Sequence, residues 1–338
     1  MIEAISTSEY AAVRESGAGL IDLSSRGRIL VSGSDAQMFL NGLITNDMKT
    51  LARNSWMPAA FTNVQGRLIA AVRVLHREDG YLIDTEAATR DSVIKLIERF
   101  TLAGDFRLTD LSNEVTTLSL QGRQAADIIA SVFGESPAEI AHYEVSNSKL
   151  DNGQPATIMR ATNTAEDGFD LFVVMADAQG LSDLLIAAGA MQVGEQVAET
   201  LRIEAGIPRF GLNMDETTII SETNLEDAVS ETKGCYVGQE IIVRIKHRGH
   251  VAKKLTGIVF ESEHQVEKDA KIFSVDDQEI GRVTSATFSP RLNKTIALAY
   301  LKYDYLAPGT EIKVLAQSEK SAASVVELPF VRGSWYTI

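Results

Sequence analysis

The chain has 338 residues, 45% of them hydrophobic and 23% charged, which suits a folded protein with buried cores in two or three domains. A formal net charge of −14 opposes broad nucleic-acid binding, because phosphate neutralisation needs a positive surface, and no direct nucleic-acid contact is expected. The single cysteine excludes an intramolecular disulfide framework and a multi-cysteine metal cluster held by this chain alone. No apolar run is long enough to span a bilayer and the amino terminus lacks a basic start, so no membrane contact and a cytoplasmic location are expected.

A short helical pattern runs from Ser8 to Glu15, before strands at Gly19 to Leu23 and Arg28 to Val31. Ser34 and Asp35 supply capping oxygens for a helix carrying Met38, Phe39 and Leu40 that stops at Gly42. Thr45-Asn46-Asp47 reads as a structural turn. Strands from Ser55 to Thr62 and Leu68 to Leu75 flank the hairpin residues Asn63-Val64-Gln65-Gly66, and Tyr81 to Asp84 extends that sheet. From Asp91 to Phe100, Val93, Ile94, Leu96, Ile97 and Phe100 mark one face of a helix. Strands near 105–108 and 115–120, a helix at 124–132 stopped by Gly134, strands at 157–160 and 169–174 and a helix at 181–187 continue the α+β texture. A helix from Glu195 to Ala205 ends at Gly206-Ile207-Pro208. Beyond Gly249, β-rich runs at 255–260, 280–288, 295–301 and 311–314 predict an all-β domain.

The densest chemistry lies in Lys233-Gly234-Cys235-Tyr236-Val237-Gly238-Gln239-Glu240. Two glycines free the backbone for a tight loop that can present Cys235, and Lys233 with a helix starting after Gly238 would favour its thiolate. The alternative is a glycine turn around a packed cysteine. Arg244, Lys246, His247, Arg248, Lys253 and Lys254 form the main basic cluster, either a solvated face or an anion site for a carboxylate tail or phosphate. His247 and His250 are flanked by cations, so a metal pair is not proposed and no stable metal is predicted.

The stretch 233–240 matches the signature K-G-C-Y-x-G-Q-E. Leu201 to Pro208 resembles an L-R-x-E-A-G segment, and Gly281 to Ala286, Ser289-Pro290 and Ile296 to Tyr300 resemble a final barrel motif. On these residues the chain resembles the YgfZ branch of the folate-dependent glycine cleavage T-protein superfamily. The resemblance implies an α+β, three-domain fold: two α+β domains and a carboxyl-terminal β-barrel around a central folate-binding opening. The corresponding divisions are residues 1–50 with 110–245, an inserted unit at 51–109, and a barrel at 246–338. It implies a tetrahydrofolate-type ligand, with Glu204 accepting the two-donor fork of a pterin and Arg26, Arg67 or Arg244 meeting the anionic tail; Tyr236 and Gln239 are further binding candidates. It also implies support of iron–sulfur cluster assembly or repair, and through it tRNA modification, with Cys235 a redox thiol or transient ligand beside Lys233 and with assembly or client proteins as partners. Thr62 to Ala71 departs from the aminomethyl-transferring enzymes, placing alanines at 70 and 71 where an acid is usual. A folate-dependent one-carbon transferase or demethylase using other acids is the rival reading, and a non-catalytic folate sensor the third.

Overall fold

The computed structural model describes residues 6–100, 104–261, 263–317 and 319–337. Helix α1 (Thr7–Ala11) widens into a π-helical turn at Ala12–Ser16, a winding that buries both Val13 and Arg14. Strands β1 (Gly19–Asp22) and β2 (Gly27–Ser32) precede α2 (Ala36–Leu43). The capping oxygens expected for α2 serve another purpose: Asp35 accepts the Asp105 N–H at 2.8 Å and the Ser34 hydroxyl donates to Asp105 at 2.8 Å. Gly42 lies inside α2 and does not end it.

Strands β3 (Trp56–Thr62), β4 (Leu68–Arg77) and β5 (Gly80–Thr85) form the expected meander, followed by α3 (Ala87–Glu98). Phe100 falls beyond α3 and is exposed. The chain continues through β6 (Arg107–Asp110), β7 (Val115–Gln121), α4 (Ala125–Phe133), β8 (Val145–Lys149), β9 (Pro155–Arg160), β10 (Gly168–Val174), α5 (Ala178–Ala187), β11 (Met191–Gln192) and α6 (Glu195–Glu204). After a long irregular segment come α7 (Gln239–Arg248) and the barrel strands β12 (Lys253–Phe260), β13 (Lys271–Phe273), β14 (Glu279–Ser289), β15 (Lys294–Lys302), β16 (Glu311–Ala316) and β17 (Glu319–Val326). No helix among the described residues is long and apolar enough to cross a membrane.

The described residues form three sheets: a six-stranded sheet in the order β11-β1-β7-β10-β9-β8, a five-stranded sheet in the order β3-β4-β5-β2-β6, and a closed barrel β12-β15-β14-β13-β16-β17. Strand β2 pairs with β5 and β6, so the five-stranded sheet takes in residues 27–32 as well as strands from the span after residue 51. The two open sheets meet through Trp56, Leu75 and Leu82 on one side and Met159 and Phe172 on the other.

Two residues before Leu75, Arg73 faces the same interface and donates to Asp84 at 2.8 Å and Asp170 at 2.6 Å, while Arg26 donates to Asp84 at 3.0 Å and pairs with Glu86. Burial alone would raise the Asp84 pKa, but the guanidinium groups of Arg26 and Arg73 outweigh it and hold it at about 2. Since the unfolded value is 3.8, the unfolded chain binds the proton more readily, and Asp84 contributes about 2 kcal/mol that is present above that value and lost as pH falls toward 2. Urea midpoints should therefore drop between pH 5 and pH 2.5 by more in the parent chain than in Asp84→Asn; parallel curves would remove Asp84 from acid stability.

Beyond β17 the chain crosses back from the barrel to the six-stranded sheet. The Val331 N–H donates to the Glu204 carbonyl at 3.0 Å, the Ser334 hydroxyl to Glu166 at 2.7 Å, and the Trp335 N–H to the Ala165 carbonyl at 3.2 Å. A Cβ at Gly333 would meet Glu166 Oε1 at 2.4 Å, so the strap lies too close for a side chain there.

Candidate functional site

The 233–240 loop is fixed from two directions. Gly238 has φ +85°, and a Cβ there would stand 2.6 Å from both Thr62 Oγ1 and the Asn63 carbonyl; Thr62 Oγ1 itself donates to the Val237 carbonyl at 2.6 Å. The loop is thus seated on the β3–β4 hairpin. From below, the buried Lys233 ammonium donates to the carbonyls of Asn41, Ile44 and Asn46 at 2.7, 2.8 and 2.6 Å, satisfying groups at the end of α2. Burial lowers the Lys233 pKa to about 8. Lys233, expected as a charge beside the thiol, donates to three backbone oxygens and anchors the loop on α2.

Cys235 is exposed, which excludes the packed alternative. A maleimide should label Cys235 in the folded protein at a rate close to that of the urea-unfolded chain; labelling that waits for unfolding would contradict this exposure.

Beside the loop, Ala60, Leu68, Phe210, Met214, Ile220, Ala228, Tyr236 and Ile242 form one apolar cluster between the hairpin, the irregular segment and α7. The register places Phe61 opposite Ala70 but Thr62 opposite Leu68, so Ile69 is the extra residue of a β-bulge. The bulge turns Ala70 into the sheet core and leaves Ala71 against the cluster around Tyr236. Of the two alanines, only Ala71 faces the site. The Tyr236 hydroxyl is buried without a hydrogen-bond partner among the described residues.

Sequence reasoning missed the other edge of the site. Thr45 donates to the Ala228 carbonyl at 2.6 Å and Asn46 to the carbonyls of Pro58 and Asp227 at 2.8 and 2.9 Å, so the predicted turn positions the 226–228 segment. Asp227 accepts from the Tyr143 hydroxyl at 3.3 Å. Burial raises the Asp227 pKa and the Tyr143 hydrogen bond opposes the rise. Tyr143 adopts φ +68°, unusual for a bulky residue, and its ring centre lies 5.0 Å from that of Trp56. Next to it His142 stacks on Trp335 at 3.8 Å, with its Nε2 buried and without a hydrogen-bond partner among the described residues. Residues 142, 143, 227 and 335 belong to no common motif; only the density of aromatic side chains could have flagged them.

The remaining sequence candidates do not converge as expected. Glu204 is fully buried and accepts from Tyr10 at 2.8 Å, from Arg14 Nε and Nη2 at 3.0 and 2.8 Å, and from Ser289. The carboxylate expected to face a pterin is filled from within the chain, because α6 turns it toward α1 and the barrel. Arg26 is committed to Asp84 and Glu86, and exposed Arg244 pairs with Glu240 at 2.6 Å one helical turn away. Gln239 and Arg244 line a shallow surface groove on α7 with Glu240, Val243 and His247. The basic cluster divides likewise: Lys246 pairs with Glu231 and Lys254 with Glu226, while Lys253 lies over the Tyr300 ring. Arg67 is exposed and has no ion pair among the described residues.

Residues 2–233 match the family model described as the GCVT N-terminal domain, and residues 253–332 match that of the glycine cleavage T-protein C-terminal barrel domain. The chain belongs to the glycine cleavage T-protein family. Within it, the aminomethyltransferase of Bacillus mycoides (strain KBAB4) is 31% identical over 332 residues, covering 96% of this chain and 90% of that protein. The aminomethyltransferase of Shouchella clausii (strain KSM-K16) is 32% identical over 330 residues, covering 96% and 89%. The crystal structure of glycine cleavage system aminomethyltransferase T from Bartonella henselae superposes with a TM-score of 0.88 at 24% identity, covering 96% and 89%, and shows the same fold. The expected T-protein architecture of α+β sheets and a terminal barrel is present. These relatives carry the aminomethyltransferase name, not that of the YgfZ branch.

Proposed function

We propose that this T-protein family member binds tetrahydrofolate or a derivative at the junction of the two sheets, the irregular segment and the barrel, and handles a one-carbon unit there. The observation that carries the reading is end-to-end similarity to aminomethyltransferases across both family domains. The local chemistry fits such a ligand. An orphaned buried Tyr236 hydroxyl calls for a polar partner, and the His142–Trp335 stack with Tyr143 offers flat surfaces to a heteroaromatic ring. Asp227, held by Tyr143, is a carboxylate of the kind that accepts from an amino-pyrimidine. When bound, tetrahydrofolate would supply the nitrogens that accept a one-carbon group. The apolar residues around Ala71 exclude water, and Asp227 is the carboxylate of this region available to hold a proton.

A second reading rests on one specific observation, an exposed Cys235 inside K-G-C-Y-x-G-Q-E, together with the alanines at 70 and 71 where an acid is usual in the aminomethyl-transferring enzymes. It makes the chain a folate-dependent helper in iron–sulfur cluster assembly or repair, indirectly serving tRNA modification, with partner proteins completing any cluster bound at Cys235.

Calorimetry with tetrahydrofolate, followed by incubation with aminomethyl and methyl donors, tests the first reading; binding with formation of one-carbon folates supports it, and absence of binding ends it. Deleting the protein and restoring parent or Cys235→Ala chains, with cluster enzymes assayed under oxidative stress, tests the second. Full cluster-enzyme activity without the protein would remove that role.

A further inference from the structure

The terminal strap is held on the six-stranded sheet by two kinds of contact. Ser334 donates its backbone N–H and its hydroxyl to Glu166 at 2.8 and 2.7 Å and accepts the Asp167 N–H at 2.9 Å, and the Trp335 N–H donates to the Ala165 carbonyl at 3.2 Å. The other contact is between rings: the Trp335 indole lies flat on the His142 imidazole, with centres 3.8 Å and planes 6° apart. Past that stack Tyr336 is 52% exposed, and residues 331–335 belong to no strand, so this end of the chain can lift without parting either sheet or the barrel.

The imidazole sits where a second proton has no acceptor. His142 Nε2 is buried and has no hydrogen-bond partner among the described residues. A neutral ring tolerates this, because one of its nitrogens carries no hydrogen, whereas an imidazolium donates from both. The charged groups around the ring give it no help. Arg160 on β9 opposes a positive charge there and Asp167, just before β10, favours one, but Asp167 is taken up by a two-pronged pair with Arg160 at 3.0 and 2.9 Å. Glu166 is held by Arg14 and Ser334, Glu144 accepts the Ala141 N–H at 3.0 Å, and Asp227 accepts from Tyr143. On the strap itself Arg332 acts on Tyr336.

Burial first and Arg160 second hold the His142 pKa below its ordinary 6.5, against the pull of Asp167. The indole face works the other way, since an aromatic ring attracts a cation, but a buried charged N–H without an acceptor costs more than the ring returns. A proton therefore binds better when the strap is lifted and the ring is wet. Closure is at full strength above pH 6.5 and weakens by up to about tenfold for each unit below it, until the pH reaches the lowered value.

We propose that residues 331–335 form an acid-released lid: protonation of His142 frees Trp335 from its ring and opens one wall of the site. The lid itself rests on the contacts of His142 and Trp335; that it encloses a folate rests on the reading above.

Nuclear magnetic resonance on the full chain, labelled with nitrogen-15 at tryptophan and without ligand, tests the lid. Trp56 and Trp335 are the two tryptophans, and Trp335→Phe assigns their signals. Between pH 8 and pH 5.5 the Trp335 indole is expected to move toward the position of a solvated ring, and the protection of its backbone N–H from exchange to fall about tenfold, with Trp56 unmoved. His142→Phe keeps a flat ring against the indole and takes no proton, so its lid should stay shut at both pH values. A Trp335 signal unchanged at pH 5.5, or a transition that survives in His142→Phe, overturns the proposal. So does a His142 ring that titrates at or above 6.5, the result expected if the indole stabilised the imidazolium. With tetrahydrofolate added, release should be about tenfold faster at pH 5.5 than at pH 8 in the parent chain and equal in His142→Phe. Equal release in the parent chain would mean that the lid does not enclose the ligand. No folate binding by a chain whose lid opens in acid ends the folate reading and leaves the lid.

Discussion

Replacing Arg14 with methionine is expected to lower the free energy of unfolding by about 3–5 kcal/mol, the usual cost of removing one partner from a buried ion pair. The Arg14 side chain is 3% exposed and stands between Glu166 at 3.1 Å and Glu204 at 2.8 Å, whose side chains are 4% and 0% exposed. Methionine matches the volume but leaves two carboxylates without their shared cation, and the Thr164 carbonyl loses a 2.6 Å donor. Urea unfolding followed by tryptophan fluorescence reads the change. A loss under 1 kcal/mol would mean that water reaches the pair, and would reopen Glu204 to a role toward ligand.

Replacing Ala71 with aspartate is expected to raise aminomethyl transfer to tetrahydrofolate by about 10²-fold or more, within the range that a positioned acid or base contributes. The bulge at Ile69 is what makes the experiment specific: it sends position 70 into the sheet core and position 71 toward Tyr236, so Ala70→Asp buries a charge and should destabilise the fold without gaining turnover. A single-turnover assay for methylenetetrahydrofolate distinguishes them. If Ala71→Asp folds, binds folate and still gives no product above the parent chain, Asp227 and its neighbours do not compose a transferase site and the Cys235 reading gains.

The periodic elements could be read from the sequence because their patterns are local. The β3–β4 hairpin and α4 with its Gly134 cap appear within a residue or two of where alternation and helical spacing put them. Strand β17 was illegible because Glu-Lys-Ser-Ala-Ala-Ser has little strand preference; it is a strand because β12 and β16 pair with it on either side and close the barrel. The same limit applies to the site. Lys233 and Cys235 stood out as neighbours, yet where the Lys233 ammonium goes is decided by the end of α2, with Asn41 192 residues earlier in the chain, and no spacing rule carries that information. Glu204 was misplaced for a related reason: its partners Tyr10, Arg14 and Ser289 lie on α1, the following turn and β14, so its helix alone did not reveal that its inward face is fully occupied.

The strap formed by residues 331–335 sets an order on biosynthesis. Its contacts go back to Ala165, Glu166 and Glu204, residues that leave the ribosome more than a hundred positions earlier. Domains tend to fold as they emerge, so the six-stranded sheet must pass through a stage in which Glu166 lacks the Ser334 donors and His142 lacks the Trp335 ring. A polypeptide released short of Gly333 would carry both sheets and the barrel yet present an unfinished aromatic edge. Premature termination would therefore yield a chain that resembles the mature protein in its cores while lacking one wall of the site.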